Sequence, residues 1–197
     1  MHLSYEKLIA QIDIDGFLKR LSAIYSSMDL KYSEVAAYYG FNCTGCEDNC
    51  CLTRFYHHTV LEYLYIISGF NNLDIEKQIE IKARALKVRR KSIEADRKEK
   101  RLRHMCPLNF DGKCILYSSR PMICRLHGIP HELHNPGRDI AYGPGCEAFS
   151  KYYSEKDYYR FDRTPFYIKM ASLEKDLKQA AGITMKVKMT IADMLIL

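Results

Sequence analysis

The sequence predicts a mainly α fold, a single helical domain around a cysteine-rich, loop-built metal centre. Three observations lead to it. Apolar residues recur at spacings of three and four in the N-terminal and C-terminal thirds of the chain. The stretch from Asp74 to His104 is highly charged and holds neither Gly nor Pro. Eight cysteines stand in two groups between residues 43 and 146, the second in a stretch where Pro, Gly and Asn recur and irregular backbone needs some other restraint.

With 197 residues, 47% of them hydrophobic, the chain can furnish one core. No internal repeat beyond the cysteine groups, low-complexity tract or flexible linker divides it. One domain over residues 1–197 is expected, with a cysteine core at about 43–146 and N- and C-terminal helices packed around it.

In order along the chain, LIAQIDIDGFLKRLSAIYSSM and YSEVAAYYGF predict one or two helices leading into Cys43. The first cysteine group then occupies a loop. TRFYHHTVLEYLYIIS predicts a mostly buried helix ended by Gly69 and Asn71, and Asp74 is the expected cap of the next. That long helix is expected over 74–104, with Ile75, Ile79, Ala83, Leu86 and Ile93 on one stripe. YYSEKDYYRF and TPFYIKMASLEKDLKQAAG predict further helix, the latter with Pro165 at its start and Gly182 as its C-cap. ITMKVKMTIADMLIL reads as a strand followed by a short helix. Little strand is expected elsewhere, and the loops at 43–52 and 106–146 should converge.

The first cysteine group is Cys43, Cys46, Cys50 and Cys51, in CTGCEDNCC; the second is Cys106, Cys114, Cys124 and Cys146. Thiolates at such spacings hold metal or form disulfides. The N-terminal residues lack the basic start, apolar core and cleavage site of a secretory signal, so a cytoplasmic protein is expected. Thiols are kept reduced there, which favours metal binding. The vicinal pair Cys50–Cys51 agrees, because a disulfide between neighbours closes a strained ring. No apolar run approaches about 18 residues, so no membrane span is expected.

Thiolate sets select zinc, iron–sulfur clusters or cuprous copper, and they disfavour magnesium and calcium. Eight thiols suffice for two tetrahedral zinc sites or for one four-cysteine cluster, such as 4Fe–4S, with spares. Vicinal cysteines do not easily share one mononuclear ion but can reach different irons, which tips the choice toward an iron–sulfur cluster over zinc. His104, His127, His131 and His134 form a competing ligand set, expected mostly at the surface or in support of the ligands.

Charge is concentrated in the long helix. Residues 74–104 carry 12 Lys or Arg against 6 Asp or Glu, an excess equal to the net +6 of the whole chain. Such a face attracts an acidic protein or phosphate. Glu94, Asp96 and Glu99 interrupt it and weigh against nucleic acid.

The ordered elements C-x2-C-x3-C-C, Cys106–Pro107, the run C-x-x-Y-x-x-R-P-x-x-C-R from Cys114 to Arg125, and Cys146 resemble the zinc- or iron-chelating cysteine-cluster family, also called YkgJ-type or CxxCxxCC proteins. The match covers roughly residues 43–146. It departs from the commoner pattern in having three residues, Glu47, Asp48 and Asn49, before the vicinal pair, where two are usual. The Cys-Pro step is also reminiscent of ferredoxin ligands.

The resemblance implies metal chelation by the eight cysteines, in a redox role or as an accessory to a partner enzyme. It implies that Arg120 and Arg125 contribute to cofactor binding, through guanidinium hydrogen bonds to thiolate sulfur or nearby carbonyls. The alternative functions are a zinc-stabilised module binding nucleic acid or an acidic partner through the basic helix, and a relative of S-adenosylmethionine-dependent flagellin lysine methylases. No G-x-G-x-x-G turn accompanies the last, and no catalytic residue is assigned.

Overall fold

The computed structural model describes residues 12–42, 50–153 and 155–197. These residues form a mainly helical protein with four short strands. None of its helices is long and apolar enough to cross a membrane.

Helix α1 (Ile14–Tyr39) is continuous where the sequence allowed one helix or two. Ile14, Leu18, Leu21, Tyr25, Met28, Val35 and Tyr39 recur at three, four and seven and form its buried face. Asp13 caps the start by accepting from the Gly16 amide at 3.0 Å. Gly40, at φ 69°, ends the helix in the left-handed conformation that costs a glycine nothing.

Helix α2 (Val60–Asn71) is apolar nearly all round and lies at the centre. It packs against α1, α6 (Thr164–Ala180) and the short α7 (Ile191–Met194). It begins later than its apolar pattern suggested. The preceding chain is extended, and His57 exchanges backbone hydrogen bonds with Met189 at 2.7 and 2.9 Å. Gly69 does not end α2. It lies inside the helix, where an added Cβ would meet the Ser119 hydroxyl at 2.4 Å, so close packing explains the glycine.

Helix α3 (Ile75–Arg97) stops before the expected end at His104, and Asp74 makes no side-chain cap. Its expected apolar stripe is not its core face. Ile75, Ile79, Leu86 and Ile93 are 67%, 62%, 48% and 45% exposed, and Ile81 and Ala85 are buried instead. The reason is the partner: α3 lies on α7, where Arg89 approaches Asp193 at 3.5 Å.

Between α3 and α6 the chain forms two small hairpins and two short helices. These are β1 (Asn109–Phe110) with β2 (Lys113–Cys114), α4 (Met122–Leu126), β3 (His131–Leu133) with β4 (Ala141–Gly143), and α5 (Glu147–Tyr152). Residues 155–163 are not helical, contrary to the periodicity of YYSEKDYYRF, because Asp162 pairs in parallel with Glu132. Helix α6 does begin with Pro165 in its first turn and ends before Gly182 at φ 64°. The tail forms no strand beyond the Met189 bridge, and α7 follows behind a Thr190/Asp193 capping box.

One buried carboxylate joins this region to the helices. Glu62, in the first turn of α2, accepts from the Met122 amide of α4 at 3.0 Å and from the Thr59 hydroxyl at 2.8 Å, with His57 Nδ1 at 3.9 Å. Burial alone would raise its pKa, but His57, Thr59 and the Met122 amide more than reverse this and hold it below the ordinary value. Replacing Glu62 with Ala leaves the Met122 amide without its acceptor and costs about 2–3 kcal/mol, read as a lower denaturant midpoint. Because the folded-state pKa is depressed, this contribution is present above the ordinary glutamate value of 4.5 and lost as pH falls through the folded value. The difference in stability between wild type and Glu62→Ala should therefore shrink on acidification; a difference independent of pH would refute the ionised-carboxylate account.

Candidate metal centre

Local backbone geometry gathers the described cysteines. A 3-10 turn at Cys50–Leu52 presents Cys51, whose carbonyl accepts from the Cys106 amide at 2.8 Å. Thr53 and Arg103 bridge beside it, so the described end of the first cysteine group meets the start of the second. The Cys106 carbonyl accepts from Asn109 at 3.0 Å, and β1 then turns through Asp111 and Gly112, at φ 49° and 82°. Two consecutive positive φ values are those of a type I′ hairpin. The hairpin sets Cys114 directly opposite Asn109. Cys124 lies on α4, which Pro121 precedes and Glu62 fixes. Cys43 and Cys46 lie outside the described residues.

Cys51, Cys106, Cys114 and Cys124 share one electrostatic neighbourhood. Burial pushes Cys106 up to about 12 and Cys114 up to about 11. Cys124 is raised well above the thiol value by burial, then by Cys106, Cys114 and Cys51. Cys51 goes the other way, down to about 6, through a hydrogen bond from Cys50 and, against burial, the amide of Asn109. At neutral pH the group is one thiolate beside three neutral thiols, so metal would have to displace protons. No disulfide joins the six described cysteines.

Positive charge and N–H donors surround the sulfurs. Arg84, on α3, donates to the Asn109 carbonyl at 2.6 Å, stacks 4.1 Å from the Phe110 ring centre and lowers Cys106 electrostatically. Arg120 lies 3.7 Å from the Tyr117 ring centre, donates to Asp29 at 3.3 Å and lowers Cys114. Arg120 Nε and Asn109 Nδ2 are buried without a full hydrogen bond, and Asn109 is only 4% exposed. Asn109 hydrogen-bonds Cys51, and the Arg120 charge acts on Cys114.

Arg125 has another arrangement. Its guanidinium donates to the carbonyls of Arg120 and Ser118 and to Asp29, with its carbon 4.2 Å from the Tyr25 ring centre. It braces the loop before α4 through carbonyls rather than sulfur. Cys146 is likewise engaged elsewhere: it caps α5 by accepting from the Phe149 amide at 3.4 Å, and its own amide donates to Gly128.

The histidines are dispersed. His104 lies by the Met105 carbonyl at 3.3 Å, and His127 packs against Phe55 with ring centres 5.2 Å apart. His131 packs over Gly143, and burial, then Arg163, lowers its pKa to about 4. His134 approaches Glu132 at 3.1 Å.

Sequence reasoning overlooked Asn109 and Arg84. The Asp111-Gly112 dipeptide between short apolar runs was the available signal, since it predicts a hairpin that sets Asn109 across from Cys114. No family model, curated protein or solved structure matches this chain.

In reduced, metal-free protein, Cys51 should alkylate ahead of Cys106, Cys114 and Cys124, with a midpoint near pH 6 by peptide mass mapping. Asn109→Ala should move that midpoint upward. A wild-type midpoint at the ordinary thiol value of about 8.5 would remove the assignment.

Proposed function

We propose that this chain is a cysteine-ligated metal protein that holds an iron–sulfur cluster, with zinc as the alternative, in a redox role or in support of a partner enzyme. The observation that carries this reading is the grouping of Cys51, Cys106, Cys114 and Cys124, with Asn109 hydrogen-bonding Cys51 and the Arg120 charge lowering Cys114. Sulfur made anionic by a cluster would accept such hydrogen bonds, and they tune its potential. Arg84 and Arg120 would offset the negative charge of the thiolates. The cysteine motifs, which resemble those of YkgJ-type proteins, support the same reading.

The vicinal pair Cys50–Cys51 favours the cluster, because neighbouring cysteines do not easily share one mononuclear ion but can bind different irons. Cys43 and Cys46, in C-x2-C spacing just before Cys50, are the natural further ligands.

The test is anaerobic purification followed by iron, zinc and acid-labile sulfide analysis and a visible spectrum. Iron with matching sulfide and a brown chromophore is the expected result; stoichiometric zinc in colourless protein selects the alternative. Cys106→Ser and the Cys43→Ala/Cys46→Ala double variant should lose metal and melt earlier. Unchanged metal content and stability in both would end the proposal. Loading at neutral pH should release protons, including one from each of the raised thiols Cys106, Cys114 and Cys124, measurable in buffers of different ionisation enthalpy.

A second reading concerns α3. Ile79, Leu86 and Ile93 are seven residues apart and exposed, beside Lys82, Arg89 and Arg90. Such a row suits an acidic amphipathic helix better than nucleic acid, because apolar side chains offer phosphate nothing. Under this reading the chain binds an acidic heptad peptide, more weakly as salt rises and in Leu86→Ser. Equal binding of a basic heptad peptide would remove it.

A further inference from the structure

The geometry points to a second, oxygen- and nitrogen-ligated site for a divalent first-row transition cation, formed by Glu132, His134 and Asp162. The ligand atoms of these three side chains all lie within 4.8 Å of one another.

The site is built on paired backbone. Glu132 lies in the middle of β3, and His134 follows the strand directly, two residues on. The Glu132 amide donates to Phe161 O at 2.9 Å, and the Arg163 amide returns to Glu132 O at 3.0 Å, so β3 lies against the segment bearing Asp162. The His134 amide donates to the Thr164 hydroxyl oxygen at 2.7 Å, and the Thr164 amide donates to Asp162 Oδ1 at 2.8 Å. The three ligands therefore stand on backbone fixed on both sides, the preorganisation a metal site needs.

Two further observations point to a cation. His134 Nε2 is buried and lies 3.1 Å from Glu132 Oε1, an ion-pair contact without regular hydrogen-bond geometry, so the imidazole nitrogen already faces the carboxylate. A cation already rests on the cluster as well: Arg160 Nε lies 2.7 Å from Glu132 Oε1. The Arg160 side chain is 73% exposed and can swing into solvent when a metal takes its place.

The donor set gives the class of ion. One imidazole and two carboxylates suit manganous, ferrous or zinc ions, with water completing the coordination, whereas magnesium and calcium favour all-oxygen sets. No sulfur takes part. The site is thus chemically distinct from the cysteine centre, and neither depends on the other.

The test is titration of the purified whole chain with manganous ion, which thiolates hold poorly, followed by loss of the free-ion electron paramagnetic resonance signal. One ion per chain is expected. His134→Ala and Asp162→Asn should weaken binding by about tenfold or more. Arg160→Ala, which removes the competing cation, should tighten it severalfold. Asp162 also orders the start of α6, so the decisive measurement uses wild type alone: spin-echo modulation from a coordinated imidazole nitrogen. No binding at millimolar manganese, binding unchanged in His134→Ala, or an absent nitrogen modulation would each overturn the inference.

Discussion

A loop-rich half must be held without ladders, and the buried Glu62 carboxylate shows how this chain does it. Short hairpins leave many backbone amides and carbonyls without partners in regular structure, and each needs one where water is excluded. Buried side chains supply partners for several of them and for others at helix ends. Glu62 takes the Met122 amide, and Glu174 of α6 takes the amides of Val60 and Leu61 at 2.9 and 3.1 Å. Arg163 donates to the carbonyls of Leu126 and Ile129, Arg125 to those of Arg120 and Ser118, and the Tyr32 hydroxyl to His127 O. The helices form a wall, and these groups fasten the loops to it.

The sulfurs inherit both properties of that wall. Burial keeps Cys106, Cys114 and Cys124 protonated, while the Cys50 thiol and Asn109 amide keep Cys51 ionised. Arg84 reaches in from α3 and Arg120 from the loop before α4, so the positive face expected for an external partner also serves the interior. Under the proposed metal-binding reading, an incoming metal would have to displace the protons of the raised thiols, and the Cys51 sulfur would be its first point of attachment.

Much of the helical half was legible in the sequence, since α1, α2 and α6 are amphipathic or apolar segments. Pro165, Gly40 and Gly182 do at these helix ends what their backbone preferences require. The errors have physical causes. Gly69 looked like a terminator because its contact with Ser119 is tertiary. Residues 155–163 carry helical periodicity yet pair with β3, and α3 buries the face opposite its apolar stripe because α7 covers that side. That the described end of the first cysteine group meets the start of the second was legible from their number and spacing. The setting of the sulfurs was not, because it depends on Asn109 and Arg84, which are ordinary residues until a hairpin and a helix position them.

The exposed row of α3 has a consequence for the colloidal behaviour of the protein. Ile79, Leu86 and Ile93 stand among Lys82, Arg89 and Arg90, so two copies approaching along this face meet like charge before apolar surface. That repulsion acts over about 10 Å at 0.1 M salt and about 3 Å at 1 M. Salt therefore removes the barrier while leaving the apolar attraction intact, and concentrated protein is best kept dispersed at low ionic strength.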